Sequence, residues 1–370
     1  MAATSATPSE RLHFVQWLRV FLTSLVIAHH AGQPYGPTGG EWPVSDPANT
    51  GILGAFFGIN AAFFMGFFFL ISGYFTEASF DRKGPAAFLK ARLVRLGIPL
   101  LVFTGILFPI TVYAFSQPPK SFSAFLIQDY FGRLDLEFGP LWFVAHLLLY
   151  AVLYAAWRLV APAPRPDHGP PPLGLGVILG YALALALVSV FVRTIYPQDA
   201  WVRLFWLIPA EPAHLPQYAS LFVIGIVAAR VRWFTELPGR TASAVFLIGL
   251  AALFLAGLFD YGVLPLPGFL DMNLIWGFFE AFVCVGIILG LLALFRRFLD
   301  RPGPWLTRLE GNVYGAYLIH VFIVVALQIA IVDLALTALA KFAIVSAAAI
   351  VISFALTAAL RRIPPVRAVI

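Results

Sequence analysis

Trp17-Leu-Arg-Val-Phe-Leu-Thr-Ser-Leu-Val-Ile-Ala-His-His30 carries Arg19 and His30 inside what otherwise reads as a membrane-crossing helix. A charged side chain at bilayer depth costs roughly 2.5 kcal/mol or more, so it needs a partner or a task. The two residues are eleven positions apart. At about 100° per residue that is three turns plus about 20°, so both project from one face, about 16 Å apart along the axis. Thr23 falls on the same face and Gln16 borders it, whereas His29 points about 80° away. Snorkelling toward the two membrane surfaces explains either residue alone. A shared face with Thr23 between them favours a functional stripe.

Working outward, hydrophobic residues make up 61% of the chain and charged residues 11%, against about 25% charged in a soluble domain. The composition predicts an all-α integral membrane protein, a polytopic bundle. The net charge of +6 is spread in short clusters between apolar runs, which excludes a nucleic-acid-binding stripe and marks the charge as topological. The single cysteine, Cys284, lies inside an apolar run, so neither a disulfide nor a thiolate metal site is expected. Residues 1–12 read as a disordered cytoplasmic segment. The run after Arg11 has no small-residue cleavage site and is read as a retained first span rather than a signal peptide.

Hydropathy predicts ten spans, near 13–31, 53–75, 96–115, 140–160, 173–194, 216–233, 242–260, 272–295, 312–332 and 335–360, within one transmembrane domain over 13–362, followed by a tail at 363–370. The loop Gln33–Thr50 contains Glu41 and Asp46 and no lysine or arginine, whereas the segment after Tyr74 contains Arg82, Lys83, Lys90, Arg92 and Arg95. The positive-inside rule puts the first outside and the second in the cytoplasm, and alternation then makes both termini cytoplasmic. Ala161-Pro-Ala-Pro-Arg-Pro-Asp-His-Gly-Pro-Pro-Pro172 reads as a stiff polyproline-type connector. The phenylalanines and glycines of spans two and eight fit close helix packing.

Several other residues bear on chemistry. Arg92 and Arg95, three apart at the mouth of the third span, share a helical face and suit bidentate binding of phosphates, beside the plainer reading of headgroup anchoring. Glu280 is the one acidic residue well inside a span and needs a cation or a wet cavity, with Arg19 or His30 as conceivable partners. His146 lies near the outer end of span four. His320 in span nine reads as a hydrogen-bonded core histidine. Glu211 and His214 fall in an outer loop, where they contact an acceptor or are solvated. No metal-ligand spacing, phosphate loop or nucleophile elbow is present, so no metal is expected.

These stretches resemble the membrane-bound acyltransferase-3 family. The spacing Arg19-x10-His30 is similar to that family's first-span motif, and Arg92-x-x-Arg95 to its Arg-x-x-Arg motif. Phe68-Phe-Leu-Ile-Ser-Gly-Tyr-Phe75, Asp81-Arg-Lys-Gly84, Gly139-Pro-Leu-Trp-Phe143 and Tyr314-Gly-Ala-Tyr-Leu-Ile-His320 resemble it as well. The chain departs from the family at Gln16, where many members carry aspartate, a carboxylate partner that Arg19 here lacks. The resemblance implies an O-acyltransferase of the bacterial cytoplasmic (inner) membrane that acts on envelope glycans or small hydroxyl-bearing acceptors. It also implies acyl-CoA as co-substrate and no permanently bound cofactor; an appended extracytoplasmic hydrolase-like domain is not expected in this chain.

In that scheme His30 is the general base for the acceptor hydroxyl, or is itself transiently acylated, and Arg19 steadies the donor or the developing charge. Arg92 and Arg95 hold the phosphates of the donor, while Thr23, His146, Glu280 and His320 are supporting candidates. Acetyl and succinyl groups fit equally. The rival reading is a proton-coupled transporter of an envelope precursor, against which the chain offers no inverted repeat.

Overall fold

The opening stretch forms helix α1, His13–Gly32, in a computed structural model that describes residues 12–37, 42–161, 173–266, 268 and 270–370. The expected disorder of the N-terminal segment and the polyproline connector lie outside the described residues. Twenty residues at 1.5 Å each reach about 30 Å, the thickness of a bilayer's hydrocarbon core. After α1 come α2 (Ile52–Lys83), α3 (Pro85–Ser116), α4 (Trp142–Val160), α5 (Leu175–Arg193), the shorter α6 (Leu215–Arg230), α7 (Gly239–Asp260), α8 (Met272–Leu299), α9 (Val313–Ile331) and α10 (Ala338–Leu360). Eight of these, α2 to α5 and α7 to α10, belong to helices that are long and apolar enough to cross a membrane; α1 and α6 are not among them. The protein is an all-α polytopic membrane protein, and α1 packs among α2, α8, α9 and α10.

The basic cluster after Tyr74 is helical rather than a loop. Helix α2 continues to Lys83, and only Gly84, at φ 76°, separates it from α3. Hydropathy marks where a helix leaves apolar solvent, not where its hydrogen bonds stop, and Ala, Leu, Lys and Arg all sustain a helix. Gly84 supplies the positive φ that a side chain would resist.

Helix α3 is interrupted by two π-helical turns, Leu93–Gly97 and Phe103–Leu107. Each stands next to a proline. Pro99 and Pro109 lack the N–H groups that would bond the carbonyls of Arg95 and Gly105, four residues earlier, and the ladder widens around each gap. The Arg95 carbonyl finds another donor, the Tyr314 hydroxyl of α9 at 2.7 Å. A defect in one helix thus becomes a tie to another.

Close approach elsewhere rests on glycine. A Cβ at Gly73 of α2 would collide with the Phe222 carbonyl oxygen of α6, and one at Gly225 with that of Leu70. The phenylalanine run Phe63 to Phe69 is buried in the main core cluster, as is Cys284, a free cysteine. Between α5 and α6 an antiparallel pair, β1 (Val202–Leu204) and β2 (Ile208–Ala210), places Val202 opposite Ala210. The residues expected as a tail form α11, Pro364–Val369.

Candidate active site

His30 stands in the last turn of α1, and its partners fix how its ring is protonated. Its Nδ1 lies 3.0 Å from the Val26 carbonyl oxygen and 3.1 Å from Nε2 of His320. His320 is fully buried and bonds the Tyr317 carbonyl through Nδ1. A carbonyl only accepts, so both Nδ1 atoms carry hydrogen, and His320 Nε2 is left as an acceptor facing the N–H of His30. The free lone pair of His30 is therefore on Nε2. His320 is a hydrogen-bonded core histidine, as its position implies, and it is also a second acceptor for the Nδ1–H that the Val26 carbonyl fixes on His30.

The ring is held on its other sides by residues that the sequence pattern does not single out. The Trp42 indole stacks on it, with centroids 5.6 Å apart and planes 23° from parallel. Trp42 Nε1 donates to Gln328 Oε1 at 2.8 Å, and Gln328 Nε2 donates to the carbonyls of His30 and Ala31, each at 3.1 Å. Gln328 thereby bonds carbonyls of the last turn of α1, where the His30 carbonyl also takes the Gln33 N–H. A lone amide in an apolar run was the available signal. The loop that carries Trp42 is tied down by a buried ion pair, with Lys341 Nζ at 2.7 Å from Asp46 Oδ2.

His30 opens on a cavity of about 190 Å³, lined also by His29, Trp142, Asp199, Glu211 and Tyr317. His29 thus shares this cavity, although helical geometry turns it from the Arg19 face; α2 closes the site on that side, with Phe57 and Phe64 against the His29 ring. The cavity wall is a buried charge chain. Arg193 pairs with Glu280 Oε2, Glu280 Oε1 is 2.9 Å from His214 Nε2, and His214 Nδ1 is 2.8 Å from Glu211 Oε2. Glu280 therefore has its cation, but it is Arg193 rather than Arg19 or His30. His214, 3% exposed, is not solvated.

Burial opposes a charged imidazole at His214, but the Glu211 and Glu280 carboxylates outweigh it and raise its pKa to about 10. Burial likewise opposes a charged Glu211, yet His214 brings its pKa below the usual carboxylate value. Beside it, burial and then Glu211 push the carboxyl of Asp199 up. His146 stands outside the cavity: its Nε2 donates to the Pro209 carbonyl at 2.9 Å and so holds β2 against α4.

The Arg19 end differs in kind. A cavity of about 770 Å³ is lined by Gln16, Arg19, Thr23, Lys83, Lys90, Arg92 and Arg95, among others. The structure brings both arginine motifs together here although a π turn intervenes between Arg92 and Arg95. Arg92 lies over the Phe88 ring at 5.1 Å and Arg95 over Tyr314 at 5.2 Å. Arg19 Nη1 donates to Gln16 Oε1 at 2.9 Å, so the residue that replaces an aspartate still serves as its partner, without the charge. Thr23 is fully buried, and its hydroxyl has no hydrogen-bond partner among the described residues.

The two cavities meet at one side chain. Tyr317 lines both, and its hydroxyl bonds the Pro140 carbonyl of the Gly139-Pro-Leu-Trp-Phe143 stretch. Along α1 the polar stripe thus passes from a cationic chamber, past Tyr317, to an imidazole with a free lone pair. Such an arrangement can hold an anion at one end and take a proton at the other.

Comparison with known proteins gives this geometry a family. Residues 12–358 match the family model described as an acyltransferase domain. "Glucans biosynthesis protein C" of Salmonella gallinarum (strain 287/91 / NCTC 13346) is 24% identical over 258 residues, which cover 65% of this chain and 65% of that protein. The proteins of the same name from Salmonella schwarzengrund (strain CVM19633) and Salmonella typhi show the same identity and coverage. The match thus spans just under two thirds of the length of these relatives. No solved structure matches. With its acyltransferase domain running from α1 into α10, the chain belongs to the acyltransferase-3 family of membrane acyltransferases.

Proposed function

We propose that the protein moves an acyl group from an acyl-CoA thioester, bound at the basic end, to a hydroxyl of an envelope glycan at the His30 end. The basic end faces the cytoplasm of a bacterial inner membrane, as the excess of lysine and arginine there favours. The observation that carries this reading is the pair of cavities joined at Tyr317 along one face of α1. Arg92 and Arg95 suit the phosphates of the donor, because guanidinium groups grip phosphate oxygens in pairs. Arg19 stands about 16 Å from His30 along the helix, which leaves it the donor rather than the oxyanion.

In the transfer step His30 Nε2 takes the proton of the acceptor hydroxyl. The oxygen bonds the thioester carbonyl carbon, the C–S bond breaks, and the proton passes from Nε2 to the departing sulfur. The imidazolium formed in between points its Nδ1–H at His320 Nε2, which accepts without changing tautomer. Acylation of His30 itself, followed by transfer to the hydroxyl, uses the same lone pair. The relatives named for glucan biosynthesis favour a glucan acceptor.

The test is release of coenzyme A by the purified protein offered acetyl- or succinyl-CoA, with and without a glucan, beside His30→Ala. Release that requires His30 and rises with glucan is expected. Movement of a solute without any thioester consumption, at equal rate in both proteins, would point to transport and overturn the proposal.

A further inference from the structure

Next to the His30 cavity, and sharing Gln198 with it, is a larger groove of about 630 Å³ between the ends of α2, α7 and α8. Its walls are small. Gly54, Ala55 and Gly58 line it from α2, and Ala256 and Gly257 from α7. Removal of side-chain bulk from both walls is what opens it: a Cβ at Gly257 would meet no atom within 4 Å. Its volume lies in the range of about 300–1,000 Å³ common for small-molecule sites.

The lining combines two chemistries. Trp276 and Tyr261 offer ring faces, Trp276 half-buried against Gly58 and Tyr261 at the rim, 79% exposed. Asp260, Asn273 and Gln198 offer hydrogen-bonding groups. Gln198 and Asn273 are ordered by the charge chain behind them. The Gln198 backbone N–H donates to Asn273 Oδ1 at 3.0 Å, and Arg193 Nη1 donates to Gln198 Oε1 at 3.2 Å. With its oxygen so engaged, Gln198 has its amide hydrogens left for a ligand. A lipid tail would leave Asp260 and Asn273 unmatched. A polyanion would meet Asp260 in the groove, then Asp199 and Glu211 in the adjoining cavity.

We infer that this groove binds the acceptor as a neutral, hydroxyl-rich saccharide chain and feeds its reacting hydroxyl past Gln198 to His30. Pyranose C–H faces lie on Trp276 and Tyr261, where the electron-rich ring face attracts them. Asp260 accepts from sugar hydroxyls, and the Asn273 amide, its Oδ1 taken by the Gln198 N–H, donates to them. The inference rests on the acyltransfer reading for the direction of feed, but binding in the groove does not.

The experiment separates the two. Binding of a neutral gluco-oligosaccharide of six units to the detergent-purified full chain is measured by calorimetry without any thioester, for wild type, Gly257→Phe and Trp276→Ala. A uronic-acid oligosaccharide of equal length is the anionic comparison. Gly257→Phe fills open space in a helix of ordinary φ, so it plugs the groove without disturbing the fold. Saturable binding of the neutral chain is expected, weakened at least tenfold in each variant, with no measurable binding of the anionic chain. Absence of saturable binding, equal affinity in all three proteins, or equal affinity for the two oligosaccharides would each overturn the inference. Coenzyme-A release in the presence of acceptor, compared between wild type and His30→Ala, reports on the transfer step, so a failure of acyl transfer registers separately from a failure of binding.

Discussion

The two ends of the bundle handle charge in opposite ways. At the His30 end cations are answered from within the protein: Arg193 and His214 by Glu280 and Glu211, Lys341 by Asp46. At the other end, Arg19, Lys83, Lys90, Arg92 and Arg95 converge on one cavity, and none forms an ion pair among the described residues. Buried ion pairs are weak contributors to stability but costly to break, whereas unanswered cations around a cavity draw an anion from outside. The first end is built to stay as it is. The second is incomplete until something binds.

The hardest blow to the contrast falls on the shared stripe. His30→Ala is expected to lower acyl transfer by roughly 10²- to 10⁴-fold, the usual worth of a positioned base, with unchanged thermal melting in detergent. A turnover within a few-fold of wild type would remove His30 from the chemistry. Next comes the sealed end. Glu280→Ala strands Arg193 in a buried site and leaves His214 to Glu211 alone, a loss of about 3–5 kcal/mol. It should appear as a large fall in melting temperature, and an unmoved melt would mean that water already answers those cations.

The open end predicts a different signature. Arg92→Ala combined with Arg95→Ala should raise the donor KM about tenfold or more, about 1.4 kcal/mol, and leave kcat and melting nearly intact. A changed melt with unchanged KM would return both residues to a structural role. The mildest effect is that of pH on the sealed end. His214 has a folded pKa of about 10 against an unfolded value of about 6.5. Its contribution is complete below the unfolded value and is lost as pH rises through the folded one, at no more than about 1.4 kcal/mol per pH unit. Melting temperature should therefore decline from pH 7 toward 10, and less so in His214→Gln.

What could be read from the chain follows the range of the interactions. Arg19, Thr23 and His30 were legible because one helix sets their relative positions, and the apolar runs show most helices directly. The tie between Trp42 and Gln328 joins residues 286 positions apart, and that between Lys341 and Asp46 residues 295 apart. No periodicity reports such pairs. Glu280 was recognisable as needing a cation, but its choice of Arg193 depends on how α5 packs on α8. His29 misled for the same reason: its direction on α1 is simple to compute, but the cavity extends round to it. The π turns of α3 sit where Pro99 and Pro109 mark lost hydrogen bonds, a signal that span counting passes over.

Tyr317 has an electrical consequence. Tyr317 lines a chamber on each side, so an acyl group moving between them as proposed would pass this ring. Each elementary charge that crosses 100 mV exchanges about 2.3 kcal/mol with the field. An acetyl group passing that ring carries no charge and feels nothing. A succinyl group carries a carboxylate, and in a cell with a negative interior the field pushes it outward. The choice of acyl group would then decide whether transfer is indifferent to the energised state of the membrane or driven by it.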